Sequence, residues 1–149
     1  NVLSIGCGVG GVEALLGKYY PGVTFHLMDD GVPNGPRTGF HEEMNPYNSI
    51  SVTKALLRAN GVEDKKIVGW PCDPSLRLPE CQLVISLMSW GFHYPVSIYL
   101  EMVTDCLKGT LILDVRKDRG GRELLESRFA LVDVLSSSDR SERLWYEVR

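Results

Sequence analysis

The 149 residues suit one domain, which at this size can bury about 70% of its unfolded surface without covalent staples. Hydrophobic residues make up 44% and charged residues 23%, and the net charge of -3 comes from 16 basic and 19 acidic residues with no long run of either sign, which argues against disorder and against nucleic acid as a partner. No apolar stretch approaches the roughly 20 residues of a membrane span and no charged start with an apolar core marks a signal peptide, so the expectation is a cytoplasmic protein with no membrane partner.

The chain opens NVLSIGCGVGGVEALLGKYY. Val2, Leu3 and Ile5 read as a short buried strand. After Gly11 the residues Val12, Leu15, Leu16 and Tyr19 recur at i, i+3, i+4 and i+7, which predicts a helix with that face turned inward. Pro21 and Gly22 break the pattern, and VTFHLMDD (23–30) predicts a second strand ending in two carboxylates. The Gly- and Pro-rich GVPNGPRTGFHEEMNP predicts a long loop, of the kind that is often functional in compact domains.

NSISVTKALLRANG predicts a helix with Val52, Ala55, Leu56 and Ala59 on one face, Asn48 or Ser49 as its cap and Gly61 just past its end. KIVGW (66–70) predicts a third strand, stopped by Pro71 and Pro74, and the apolar QLVISLMS (82–89) a fourth. Pro95 fits the first turn of a helix that aligns Val96, Tyr99, Leu100 and Val103, with Gly109 after its last turn. TLILDVR (110–116) is then a fifth strand, and a short helix near 121–127 leads to FALVDVLS and RLWYEVR. The short polar link SSDRSE makes those two an antiparallel hairpin.

The predicted order is β-α repeated five times and a closing hairpin, an α/β fold with a parallel sheet between two helical layers. Ligands of such sheets sit beyond the carboxyl ends of the strands, where the strand order reverses. Gly6, Gly8, Gly10 and Gly11 turn the chain from strand to helix at that edge and leave room for a ligand near the backbone. Asp29 or Asp30, about 20 residues on, can accept hydrogen bonds from ribose hydroxyls, so the pair of features points to an adenosine-type cofactor. Cys7, Cys72, Cys81 and Cys106 form no CxxC pair and have no histidine at ligand spacing, so reduced thiols and no metal site are expected.

The opening SIGCGVGG, the acidic strand end, the Asp73 loop and above all the terminal hairpin resemble class I S-adenosylmethionine-dependent methyltransferases, over nearly the whole chain. The segments HLMDDG, NPYNSISVTKALLRANGV and SLMSWGFHYPVSIYL are similar to bacterial sugar O-methyltransferases. The resemblance implies a Rossmann-like three-layer sandwich with a mostly parallel seven-stranded sheet and a C-terminal antiparallel hairpin. It implies S-adenosyl-L-methionine as cofactor and a hydroxyl of a sugar or small metabolite as acceptor. Gly6, Cys7, Gly8 and Gly10 would face the methionine portion and ribose, and Asp29 the ribose hydroxyls, with the adjacent Asp30 leaving that choice open. Cys72 and Asp73 would lie near the adenine, and Ser86, Leu87, Met88 and Ser89 on the sulfonium side. The helices that precede the first strand in that family are absent from this sequence, which starts at Asn1 without an initiator Met, so a fragment lacking an N-terminal cap is expected.

A hydroxyl acceptor must lose its proton as its oxygen attacks, and His93 in SWGFHYP is the candidate base. Trp90, Phe92 and Tyr94 would wall the acceptor, or else pack the loop against the next helix. His41 could reach the acceptor from the long loop, whereas His26 inside the second strand is assigned no role. Asp114, Arg116, Lys117 and Asp118 either orient hydroxyls of the acceptor or end the fifth strand in water, and Asp133 in an apolar strand is unexplained. Two other readings stay open: a cofactor-binding module without catalysis, and a nicotinamide-dependent oxidoreductase, which the glycine spacing alone permits. A homo-oligomer is also left open.

Overall fold

The computed structural model describes residues 1–29, 39–42 and 48–149. Its strands are β1 (Val2–Ile5), β2 (Phe25–Met28), β3 (Ile67–Trp70), β4 (Cys81–Ser86), β5 (Leu107–Arg116), β6 (Phe129–Ser137) and β7 (Ser141–Val148). The helices are α1 (Gly11–Tyr19), α2 (Ile50–Ala59), α3 (Leu100–Cys106) and α4 (Gly121–Glu126). The strands form one seven-stranded sheet in the order β3-β2-β1-β4-β5-β7-β6. The pairs from β3 through β5 are parallel, and β7 runs antiparallel to both β5 and β6. This is the Rossmann-like sheet with a closing antiparallel hairpin that the sequence predicts.

Alternation along the central strands sends their side chains into two cores, which is why β1 and β2 are buried throughout. Leu3, Ile5 and Met28 join the larger core with Trp90, Tyr99, Leu111 and Tyr146. Val2, Phe25, Leu27 and Ile85 join the smaller one with Leu57 of α2. The order reverses at β1, whose neighbours β2 and β4 lie on opposite sides, so a crevice opens beyond the ends of β1 and β4.

Several local expectations are corrected. The chain from 71 to 80 carries no helix, so β3 returns to β4 by a loop and the β-α alternation is interrupted there. α1 turns most of its predicted apolar face outward: Val12, Leu15 and Tyr19 are 37%, 57% and 68% exposed, while Leu16 packs against the smaller core and Glu13 is buried. The sheet-facing side is lined by Glu13 and the small Gly17, where a Cβ would lie 2.7 Å from Val62 Cγ2. Close approach of helix to sheet selects small residues, and hydrophobic periodicity does not register them. α2 likewise buries Thr53 and Leu57 and leaves Val52 exposed. Its end does match expectation, because Gly61 at φ +86 lets Gly61 N–H reach Arg58 O and Val62 N–H reach Leu57 O, both at 3.0 Å.

Beyond Pro95 the chain first makes a 3-10 turn over Val96–Ile98, and α3 then runs directly into β5. Gly109 is therefore inside β5 and not a helix stop. A Cβ on it would meet Gln82 O at 2.4 Å, where the β4–β5 register shifts. Asp133 sits at a register shift between β6 and β7, exposed, with Oδ1 accepting the Val134 N–H at 2.8 Å. It serves the bulge.

Candidate functional site

The glycine turn occupies the crevice. Gly6, Gly8 and Gly10 have φ of +68, +57 and +85, a region in which a side chain is strained. The turn is pinned from three sides. Gly6 N–H donates to Met28 O at 2.8 Å, Gly8 N–H donates to Asp29 Oδ2 at 3.2 Å, and Thr53 Oγ1 donates to Gly8 O at 2.5 Å. Space is as restrictive as conformation: a Cβ on Gly6 would lie 1.9 Å from Ser89 Oγ, and one on Gly10 would lie 2.5 Å from Thr53 Cγ2.

Above this turn lies a cavity of about 360 Å³, within the usual range for a small-molecule site. Of the residues singled out from the sequence, Gly6, Cys7, Gly8, Gly10, Asp29, Cys72, Leu87, Met88, Ser89, His41 and His93 line it. Two do not. Ser86 is buried, with its hydroxyl donating to Ile5 O at 2.9 Å and accepting the Trp90 N–H at 3.0 Å. Asp73 is outside the cavity; its carboxylate accepts Ser75 N–H and Oγ at 2.8 and 2.7 Å, bonds that hold it below the usual carboxylate range. Asp30 lies outside the described residues. Cys7 is half-buried, and burial, with Asp29 and Glu13 nearby, pushes its thiol up to about 12, so it is a neutral wall group.

The segment 89–95 is a tight turn built on β4. Ser89 O accepts the N–H groups of Phe92 and His93 at 3.0 and 2.7 Å, and Gly91 at φ +86 donates to Tyr94 O at 2.9 Å. Trp90 is wholly buried, edge-on to Tyr99, with its indole N–H on Val96 O at 2.8 Å. Phe92 packs edge-on to His93 and under the Arg116 guanidinium. Only Tyr94 of the three aromatics lines the cavity; its hydroxyl is 3.0 Å from Ser89 Oγ, and burial raises it above the ordinary phenol value. Of the two alternatives for these rings, Trp90 and Phe92 take the loop-packing one and Tyr94 lines the cavity.

His93 Nδ1 lies 2.7 Å from Gly39 O. A carbonyl only accepts, so the neutral imidazole carries its proton on Nδ1 and keeps the Nε2 lone pair available. The His41 N–H donates to His93 O at 2.7 Å, and His41 Nε2 is buried with no hydrogen-bond partner among the described residues. His26, by contrast, accepts the Trp70 indole N–H at 3.0 Å, and burial lowers its pKa.

Met88 is the non-glycine residue with positive φ among the described residues, at 52°. Asp114 accepts its N–H at 2.9 Å and also takes Arg143 Nε and Nη2 at 2.8 and 3.0 Å. The hairpin strand β7 therefore braces the cavity mouth through β5. This ion pair and the buried pair Ser4–Glu13, in which the serine hydroxyl donates to Glu13 Oε1, escaped sequence reasoning. The partners are far apart in the chain or on the side of α1 taken as polar. The acidic residue among the small ones on α1 was the available signal for Glu13. No group of three His, Cys, Asp or Glu is placed to hold a metal among the described residues, and no helix among them is long and apolar enough to cross a membrane.

Neither a protein-family profile nor a characterised protein sequence matches the chain. Solved structures do share its fold. A Pyrococcus horikoshii OT3 protein superposes with a TM-score of 0.69 at 16% identity, over 99% of this chain and 81% of its own. Magnesium protoporphyrin IX methyltransferase from Synechocystis PCC 6803 with bound SAM gives 0.69 at 16% identity, over 99% and 69%. The StiE O-MT gives 0.67 at 14%, over 100% and 68%. The chain therefore has the Rossmann-like fold of methyltransferases, with the seven-stranded sheet and antiparallel terminal pair.

Proposed function

We propose that the chain is an S-adenosylmethionine-dependent methyltransferase acting on a hydroxyl of a sugar or related small metabolite. The observation that carries the reading is the cavity whose lining brings together the glycine turn, Asp29 and His93 at the reversal of strand order. The residues fit the cofactor: the glycine turn lines the cavity with backbone, and the Asp29 carboxylate follows β2 where ribose hydroxyls need an acceptor. The fold shared with methyltransferases, one of them holding SAM, supports the same assignment.

When bound, the cofactor supplies a methyl carbon activated by a positive sulfur. Gly6, Gly8 and Gly10 admit its amino-acid end and ribose, and Asp29 accepts the ribose hydroxyls. Cys72, Leu87 and Met88 line the remaining wall, and Ser86 and Asp73 support the neighbouring turns. His93, with Nδ1–H held by Gly39 O, accepts the acceptor's proton at Nε2. Orientation of two bound reactants lowers such a barrier by several kcal/mol, so positioning is the larger part of the task.

The test is a calorimetric titration with S-adenosylhomocysteine beside NAD, followed by turnover of His93→Ala on a panel of sugar and small-molecule hydroxyls. Binding of the former alone and a turnover loss of about 10²- to 10⁴-fold with unchanged cofactor affinity are expected. Selective binding of NAD would replace the reading with an oxidoreductase. Unchanged turnover in the variant would remove His93 from the chemistry.

A further inference from the structure

We infer that Glu13 is the anionic anchor for a cationic head group, the ammonium at the amino-acid end of the bound cofactor; this rests on the methyltransferase reading. Glu13 is 3% exposed, yet it lines the cavity together with the glycine turn. The Ser4 hydroxyl donates to its Oε1 and its own backbone N–H also favours the charged form, but it takes part in no ion pair among the described residues. The titratable groups beside it are acids, Cys7 of the glycine turn and, past that thiol, Asp29 at the end of β2. No lysine or arginine lines the cavity among the described residues.

A buried carboxylate without a cation is costly, and one hydroxyl and one amide do not offset its lost hydration, which remains the larger effect on its pKa. Burial accordingly raises its pKa. A glutamine of the same shape would be the better core residue if packing were its only role. The geometry favours an ammonium over a sulfonium, because an ammonium brings three N–H donors to a carboxylate and a sulfonium brings none. Position agrees. Glu13 lies on α1, just after the glycine turn that follows β1, whereas His93 lies in the turn that follows β4, so separate elements would hold the amino-acid end and serve the transferred methyl group.

The test compares the parent and Glu13→Gln by calorimetry with two ligands. S-adenosylhomocysteine carries the ammonium, and 5′-methylthioadenosine is the same nucleoside thioether without the amino-acid end. The variant should bind the first about tenfold or more weakly and the second equally, a tenfold loss being about 1.4 kcal/mol. Without ligand, the variant should melt at or above the parent temperature, since a buried charge has been removed. Equal binding of S-adenosylhomocysteine by both proteins overturns the assignment. So does an equal loss for both ligands, or a lower melting temperature of the ligand-free variant, each of which would make Glu13 a support of the Ser4 turn. A parent protein that binds neither ligand instead sinks the cofactor reading itself.

Discussion

Replacing Asp114 by Asn tests whether the terminal hairpin braces the cavity. The carboxylate is 6% exposed and accepts three hydrogen bonds, two from Arg143 and one from the Met88 N–H. An amide has one acceptor oxygen, so whichever way it lies its NH2 opposes an N–H donor. Keeping the oxygen toward Met88 sacrifices the Arg143 Nε bond. A hydrogen bond to a charged group contributes about 1.5–3 kcal/mol. The Arg143 side chain is 37% exposed, so water replaces part of that interaction and about 1–2 kcal/mol is expected to be lost. At this chain length the melting temperature should fall by about 2–8 °C. With the amide reversed, the Met88 N–H loses its acceptor, and its hydrogen exchange should accelerate as the strained φ of 52° relaxes. The assay is thermal unfolding at neutral pH with amide exchange, completed by Arg143→Ala and the double variant. A melting temperature within 1 °C of the parent, with additive single effects to about 0.3 kcal/mol, would show that the ion pair braces nothing.

Gly6→Ala puts a Cβ 1.9 Å from Ser89 Oγ at a φ of +68, so S-adenosylhomocysteine binding should be lost together with at least about 1–2 kcal/mol of stability; retention of both would contradict the packed turn. Cys7, with its thiol pushed up to about 12, should be alkylated at mildly alkaline pH on the order of a thousandfold more slowly than an ordinary cysteine. Mass spectrometry reads that rate, and ordinary reactivity would refute the burial argument. Burial raises the Glu13 carboxyl above 4.5, so its contribution to stability is fully present below pH 4.5 and is lost as pH rises through the raised value. The stability of Glu13→Gln relative to the parent should therefore grow from pH 4.5 toward neutrality, and a constant gap in denaturant titrations would remove the argument.

What the sequence determined by itself is local in origin. Apolar runs and turn residues specify the strands, Gly61 ends α2 as a left-handed cap, and the short polar link of the last two strands leaves them no geometry but an antiparallel hairpin. The glycine turn and Asp29 were legible for the same reason, since each follows a strand whose end the sequence marks. Faces and partners were not. Whether α1 turns Leu15 or Glu13 inward depends on how closely the helix approaches the sheet, and that distance is set by Gly17 against Val62 and Phe25. That Ser86 points into the core while Leu87 lines the cavity follows from where β4 ends, a boundary an unbroken apolar run conceals. The Asp114–Arg143–Met88 brace and the Gly39 carbonyl on His93 join residues from separate parts of the chain. Such contacts exist only once strand order and register have brought their elements together, so the tertiary structure alone decided them.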